Sequence, residues 1–168
     1  MKTFIIAAIT ADGFIARDAE HTSTDWTSPE DSQLYRQTTK EAGVMVMGST
    51  TFATIMRSLP GRKTVVYTTK PERFAGIEDV ETTREAPAAL VARLEAEGYS
   101  QAAICGGSHI YRQFLAAGVV DELYLTVEPV LFGTGIGLFN DKLDVRLELL
   151  SVENLNENTL QLKYKVIK

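Results

Sequence analysis

Cysteine is almost missing from this chain: Cys105 is the only one in 168 residues. An internal disulfide is therefore excluded, and a lone thiol ending an apolar run reads as a reduced core residue. Positive charge is also scarce, with 17 Lys and Arg against 22 Asp and Glu, a net charge of -5. No basic run offsets that balance, which argues against a nucleic-acid partner. Long hydrophobic runs are lacking too, so no membrane span is expected. The opening "MKTFIIAAITADGFIA" looks briefly like a secretory leader, but Asp12 and Gly13 interrupt it early. A buried strand fits it better, which leaves the cytoplasm as the expected location. Internal repeats, linkers and low-complexity segments are absent, so residues 1–168 read as one domain.

What is present is an alternation of short apolar runs and helical patterns. Strand-length runs cover Phe4 to Ile9, Val44 to Met47, Thr64 to Tyr67, Ala102 to Cys105 and Leu123 to Val127. A helix is expected from Pro29 to Lys40, where Ser28 can cap and Pro29 takes the first helical position. Leu90, Val91 and Leu94 give helical spacing within Ala86 to Glu97. Ile110, Phe114 and Leu115 repeat it, and Gly118 ends that helix. Strands alternating with helices imply an α/β fold with a mostly parallel sheet. The end of the chain differs: "VRLELLSVEN" and "TLQLKYKVIK" alternate apolar and polar residues around "LNEN", the pattern of an antiparallel hairpin.

In an open parallel sheet, ligands bind at the carboxyl ends of the strands. The loops expected there are Thr10 to Ser28, Gly48 to Thr51, Thr68 to Lys70 and Gly106 to His109. Two of them put Gly where a strand meets a helix: Gly48, and the pair Gly106-Gly107. Each has two readings. One is a tight turn; the other is bare backbone at a helix start, open to a phosphate. The G-x-G-x-x-G dinucleotide fingerprint is not present.

Two other stretches carry candidate chemistry. In "DWTSPEDSQLYRQ", Asp31 shares a helical face with Leu34 and Tyr35. It reads either as an acid favouring the helix dipole or as a carboxyl in apolar surroundings, with a raised pKa and a proton to exchange. In "LPGRKTVVY", Arg62 is either a charged strand entrance or a planar fork at a cleft rim, suited to a carboxylate or phosphate.

Taken together and in order, these stretches resemble the dihydrofolate reductase superfamily over nearly the whole chain. Ala7 to Ile9 and Gly13 to Ala16 match the first strand and the start of the active-site loop. "WTSPED" resembles the family's W-x-x-P-x-D, "VMVMGSTTFATI" its second strand with Gly turn and short helix, and "LPGRK" a turn of the same letters. "ICGGSHIYRQFL" matches the Gly-Gly segment, and "ELYLTVE" the strand whose Thr lies behind the catalytic acid. Two branches of the superfamily remain open. "ITADGFIA" and "EPVLFGTGIGLF" resemble the riboflavin-biosynthesis reductases; "LPGRK" and the short single domain lean towards folate.

The resemblance implies a three-layer fold in which helices flank the sheet and a C-terminal hairpin closes it. It implies hydride transfer from NADPH to a C=N bond, with 7,8-dihydrofolate as the first substrate. The alternative substrate is the ribosylaminouracil phosphate of riboflavin synthesis, and a non-catalytic nucleotide sensor is a third possibility. By this resemblance Asp31, Thr126 and Trp26 would form the catalytic group. Ile6, Leu34, Tyr35, Leu59 and Arg62 would join Asp31 in holding the substrate, with Arg62 on the tail carboxylate. Ala8, Ile15, Gly48, Ser49, Thr50, Thr68, Thr69, Lys70, Gly106, Gly107, Ser108, His109, Ile110 and Tyr111 would bind the cofactor. The family often carries Arg where this chain has Ser49 and His109, which leaves the choice of NADPH over NADH open; Lys70 and Thr69 are the expected compensation. No metal is assigned, and the protein is expected to be a monomer or a homodimer.

Overall fold

The computed structural model describes all residues from Met1 to Lys168. Strand β1 (Lys2–Thr10) lies inside an eight-stranded sheet with β3 (Val44–Gly48), β4 (Lys63–Tyr67), β5 (Val80–Thr83), β6 (Gln101–Ile104), β7 (Glu122–Glu128), β9 (Arg146–Asn154) and β10 (Leu160–Ile167). The order is β5-β4-β3-β6-β1-β7-β10-β9. All neighbours from β5 to β7 pair parallel, and β10 and β9 close the sheet antiparallel. A second small sheet joins β2 (Phe14–Ala16) to β8 (Ile136–Gly137).

The apolar runs of the central strands are continuous because both faces of the sheet are covered. Ile5, Val44, Val46 and Ile104 face one side, with Leu90 and Leu94 of α3 (Pro87–Ala96) and Phe114 of α4 (Ser108–Ala116). Phe4, Met45, Met47 and Ala103 face the other, with Ala42 of α1 (Pro29–Ala42) and Phe52 of α2 (Ser49–Ala53). This is the three-layer arrangement expected. Phe4, Phe52 and Phe114 are fully buried, each stabilising the fold by roughly 1.5–3 kcal/mol relative to exposure.

The expected α1 runs two residues further, to Ala42, where Gly43 ends it at φ 76°. Strands β2, β5 and β8 have no counterpart in the sequence reading. They are two to four residues long, too short for a period-2 pattern to stand out. Their positions are set by the neighbours they pair with. Gly135 lets β8 approach β2: a Cβ there would lie 2.4 Å from the Ala16 carbonyl oxygen.

Candidate active site

The four loops at the carboxyl ends of the parallel strands surround one cleft of about 1300 Å³. Its two sides are built from different materials.

One side is backbone. Gly48 ends β3 and Gly106-Gly107 comes after β6, and the two turns are joined by a hydrogen bond from the Gly48 N–H to the Gly106 carbonyl, 2.7 Å. The Gly106-Gly107 peptide is cis, and Gly106 has φ 114°. Side chains would be crowded here. A Cβ on Gly106 would stand 3.1 Å from the Tyr111 hydroxyl, and one on Gly107 would stand 3.2 Å from Thr51 Oγ1. Helix α4 starts directly after the pair. Its first internal hydrogen bonds come from Ile110 and Tyr111 N–H groups to the Gly107 carbonyl, 2.9 and 3.0 Å, which leaves the Ser108 and His109 N–H groups outside the helical ladder. The cleft also holds Ala8, Ile15, Ser49, Thr50, Thr68 and Thr69. The Tyr67 hydroxyl on the same wall is buried without a hydrogen-bond partner. Bare backbone, a helix start and an unpaired hydroxyl fit a phosphate-bearing dinucleotide.

The other side is made of side chains from α1. Ser28 caps this helix by accepting from the Asp31 N–H, 3.2 Å. The buried Glu128 carboxylate holds the cap: one oxygen accepts from the Ser28 N–H and hydroxyl, both 2.8 Å, and the other from the Thr159 hydroxyl, 3.0 Å. Asp31 is thereby presented to the cleft with Tyr35 one turn on. Burial raises the Asp31 pKa above the ordinary carboxylate value, the Thr126 hydroxyl pulls it back, and the Glu128 charge raises it further. Thr126 itself is buried behind the acid and not on the cleft wall. Burial also pushes the Tyr35 hydroxyl well above its usual pKa and lifts the Cys105 thiol to about 12. Ile6, Leu59 and Cys105 complete this apolar side, so the thiol lines the cleft as well as the core.

Four of the residues expected at the site stand elsewhere. Arg62 is buried and points into the protein. Its guanidinium donates to the Arg36 carbonyl at 2.8 Å, to the Pro60 carbonyl and to the Thr39 hydroxyl. It staples the start of β4 to α1 instead of lining the cleft. Leu34 is half-buried and off the wall; the cleft-facing side of α1 runs through Asp31, Ser32, Tyr35 and Arg36, so the expected stripe is turned by part of a residue step. Trp26 packs edge-on against Phe132, ring centroids 5.2 Å apart, outside the cleft. Lys70 is exposed beyond the rim.

The cations that do line the cleft are Arg36, Arg57 and Arg84, none of which the sequence reading singled out. Arg84 follows β5 and donates to the Thr68 and Thr69 carbonyls. The rule that sites lie at strand carboxyl ends would have found it, had β5 been recognised. Asn140, also on the wall, donates to the Ser108 hydroxyl at 2.6 Å. It belongs to a segment with no pattern of its own.

The dihydrofolate reductase family model matches residues 2–132. Dihydrofolate reductase type 3 of Salmonella typhimurium is 35% identical over 126 residues, 75% of this chain and 71% of that protein. The uncharacterized protein YwjB of Bacillus subtilis (strain 168) is 29% identical over 148 residues, 83% of each chain. Among solved structures, a candidate riboflavin biosynthesis protein from Shewanella sp. PV-4 superposes with a TM-score of 0.85 at 22% identity, over the whole of both chains. The dihydrofolate reductase of Enterococcus faecalis, complexed with NADP(H), gives 0.72 at 24% identity, over 98% of this chain and 94% of that one. By sequence, by fold and by the order of its site segments, the chain belongs to the dihydrofolate reductase family of oxidoreductases.

Proposed function

We propose that this protein reduces 7,8-dihydrofolate to tetrahydrofolate with NADPH. The observation that carries the reading is Asp31, held at the start of α1 with Thr126 behind it, facing the glycine side of the same cleft. When bound, the reduced nicotinamide supplies the hydride. The chain's own residues do the rest. The Gly106-Gly107 and Gly48 turns, with Tyr67, Thr68, Thr69, Ser108 and His109, would hold and orient the dinucleotide. Asp31 would grip the amino group and adjacent ring nitrogen of the pterin and help deliver a proton as the C=N bond is reduced. Ile6, Tyr35 and Leu59 would hold the flat ring and exclude water. Arg84 would take the part of the family's missing arginines beside the adenosine 2′-phosphate. Arg84→Ala should then lower the NADPH-to-NADH ratio of kcat/KM several-fold; an unchanged ratio removes it from that role.

One observation favours the second substrate, the ribosylaminouracil phosphate. Arg62, which would grip the glutamate tail of folate, is occupied inside the protein. Arg36 and Arg57 could then meet a ribose phosphate as readily as a tail carboxylate. The deciding experiment follows NADPH oxidation with each substrate in parallel. Turnover of dihydrofolate supports the first reading. Turnover of the ribosylaminouracil phosphate alone replaces it with the second. Cofactor binding with turnover of neither leaves a nucleotide-binding protein without this chemistry.

A further inference from the structure

Strand β9 ends the sheet, and its outer edge has no neighbour. Nine residues long, it contains no Pro or Lys to blunt that edge, although it carries a bulge at Leu150 and the charges of Arg146, Glu148 and Glu153. It also carries apolar side chains into water: Leu147 is 41% exposed, Leu149 54%, Leu150 48% and Val152 52%. A single exposed apolar side chain needs no explanation; three leucines and a valine on one edge strand do.

The register of β9 on β10 gives the pattern its meaning. Leu149 pairs with Tyr164 and Ser151 with Lys163, so Leu150 is an extra, bulged residue. The bulge shifts the phase of the pleat by one residue. Leu147, Leu149 and Val152 therefore share one face of the sheet, opposite Val166, Tyr164 and Leu162, while Arg146, Glu148, Ser151 and Glu153 share the other.

With that phase shift, β9 is complementary to itself. Consider two copies run antiparallel about a two-fold axis that passes between Leu149 and Leu150. Leu149 then faces Leu150, Leu147 faces Val152, Glu148 faces Ser151 and Arg146 faces Glu153. Outside the bulge, every facing pair lies on the same side of the sheet: Leu147 with Val152 on one, Glu148 with Ser151 and Arg146 with Glu153 on the other. In a regular strand an axis between two residues would set side chains of opposite faces against each other. Each pair occurs twice by symmetry, as an isologous contact requires. Arg146 has no ion pair within its own chain, and Glu153 has only a long one, 3.7 Å to Lys163 Nζ. Opposite charges facing across strands are favourable, and like charges are not.

We propose that β9 pairs edge to edge with β9 of a second copy of this chain, about a two-fold axis between Leu149 and Leu150, giving a homodimer with one continuous sixteen-stranded sheet. The contact lies on the strand farthest from the cleft side of the sheet, so it does not depend on which substrate is reduced.

Sedimentation equilibrium of the wild type should show a dimer. Arg146→Glu and Glu153→Arg, each alone, place like charges face to face twice and should raise the dimer Kd about tenfold or more. The double variant exchanges the charges and should restore it. A second test is independent of charge. An equal mixture of Arg146→Cys chains and Glu153→Cys chains should form a disulfide-linked dimer on mild oxidation. Neither chain alone should do so, because its own introduced thiols would lie about 24 Å apart along the paired strands. Cys105 sits almost fully buried at the cleft wall, away from β9, and does not face the partner across this contact. A wild type that stays monomeric overturns the proposal. So does a dimer whose Kd none of the charge variants moves, or one that the double exchange leaves as weak as the single variants.

Discussion

The two sides of the cleft differ in what they are made of, and the difference decides how well each can be read. The glycine side presents main chain: Gly48, Gly106 and Gly107, tied by the Gly48 to Gly106 hydrogen bond and followed by the start of α4. The α1 side presents side chains: Asp31, Tyr35 and Arg36, with Thr126 and Glu128 behind them. Gly106 has little choice of role, because its φ of 114° is one that other residues rarely adopt, and Gly48 and Gly107 leave little space for a side chain beside it. A long cation such as Arg62 can swing towards solvent, ligand or protein carbonyls, and its partners come from distant parts of the chain.

The sharpest test of the α1 side is Asp31→Asn. Hydride transfer at neutral pH should fall by two or more orders of magnitude, within the usual range for losing a positioned acid or base, with NADPH affinity nearly unchanged. Single-turnover kinetics and cofactor titration separate the two. Retained activity would show that the acid is only a capping residue. The same variant should be more stable than wild type at neutral pH. Folding raises the Asp31 pKa, so the folded state favours its neutral form. The stability this gives is full below the unfolded pKa and is lost as pH rises through the folded one. The gain from Asn should therefore fade towards acidic pH in denaturant titrations.

The matching test of the glycine side is Gly106→Ala. The residue would be forced to φ 114° with its Cβ 3.1 Å from the Tyr111 hydroxyl. A loss of about 1–3 kcal/mol of stability is expected from the backbone strain, together with weaker NADPH binding. An unaltered cofactor Kd would mean that this turn does not touch the dinucleotide.

Arg62→Ala would blur the comparison if the sequence reading of that residue were right. The structure instead assigns it internal bonds to Arg36, Pro60 and Thr39. The variant should unfold at clearly lower denaturant, by about 2–3 kcal/mol, because charge-assisted bonds are lost and carbonyls are left unpaired. Arg36→Ala and Arg57→Ala should raise substrate KM with little change in stability. A stable Arg62→Ala protein with a raised KM would return Arg62 to the substrate.

The smallest effects are shifts in pH profile. Glu128→Gln keeps the Ser28 cap but removes a charge that raises the Asp31 pKa, so the Asp31 limb of the rate profile should move to lower pH. Thr126→Val removes the hydroxyl that lowers it, and the limb should move to higher pH. Shifts in the same direction would break the assignment of that limb to Asp31.

The sequence by itself determined the layered α/β fold, the helix start at Ser28-Pro29, the glycine turns and the acid at Asp31. Each of these is a local matter: a run buried on both faces, a cap, a residue without a side chain, a carboxyl in the first turn of a helix. Even the part-step error at Leu34 lies within the reach of a helical stripe. Only the tertiary structure decided where the long side chains went. Arg62 turned inward because the Arg36 carbonyl and the Thr39 hydroxyl on α1 lie within its reach, while Arg57 and Arg84 took the cleft. It also decided the short strands β2, β5 and β8, whose pairing comes from their neighbours and not from their own residues. The bulge at Leu150 belongs with them. Alternation along β9 is legible in the letters, but the phase at which it meets β10 is settled only when the two strands are laid side by side.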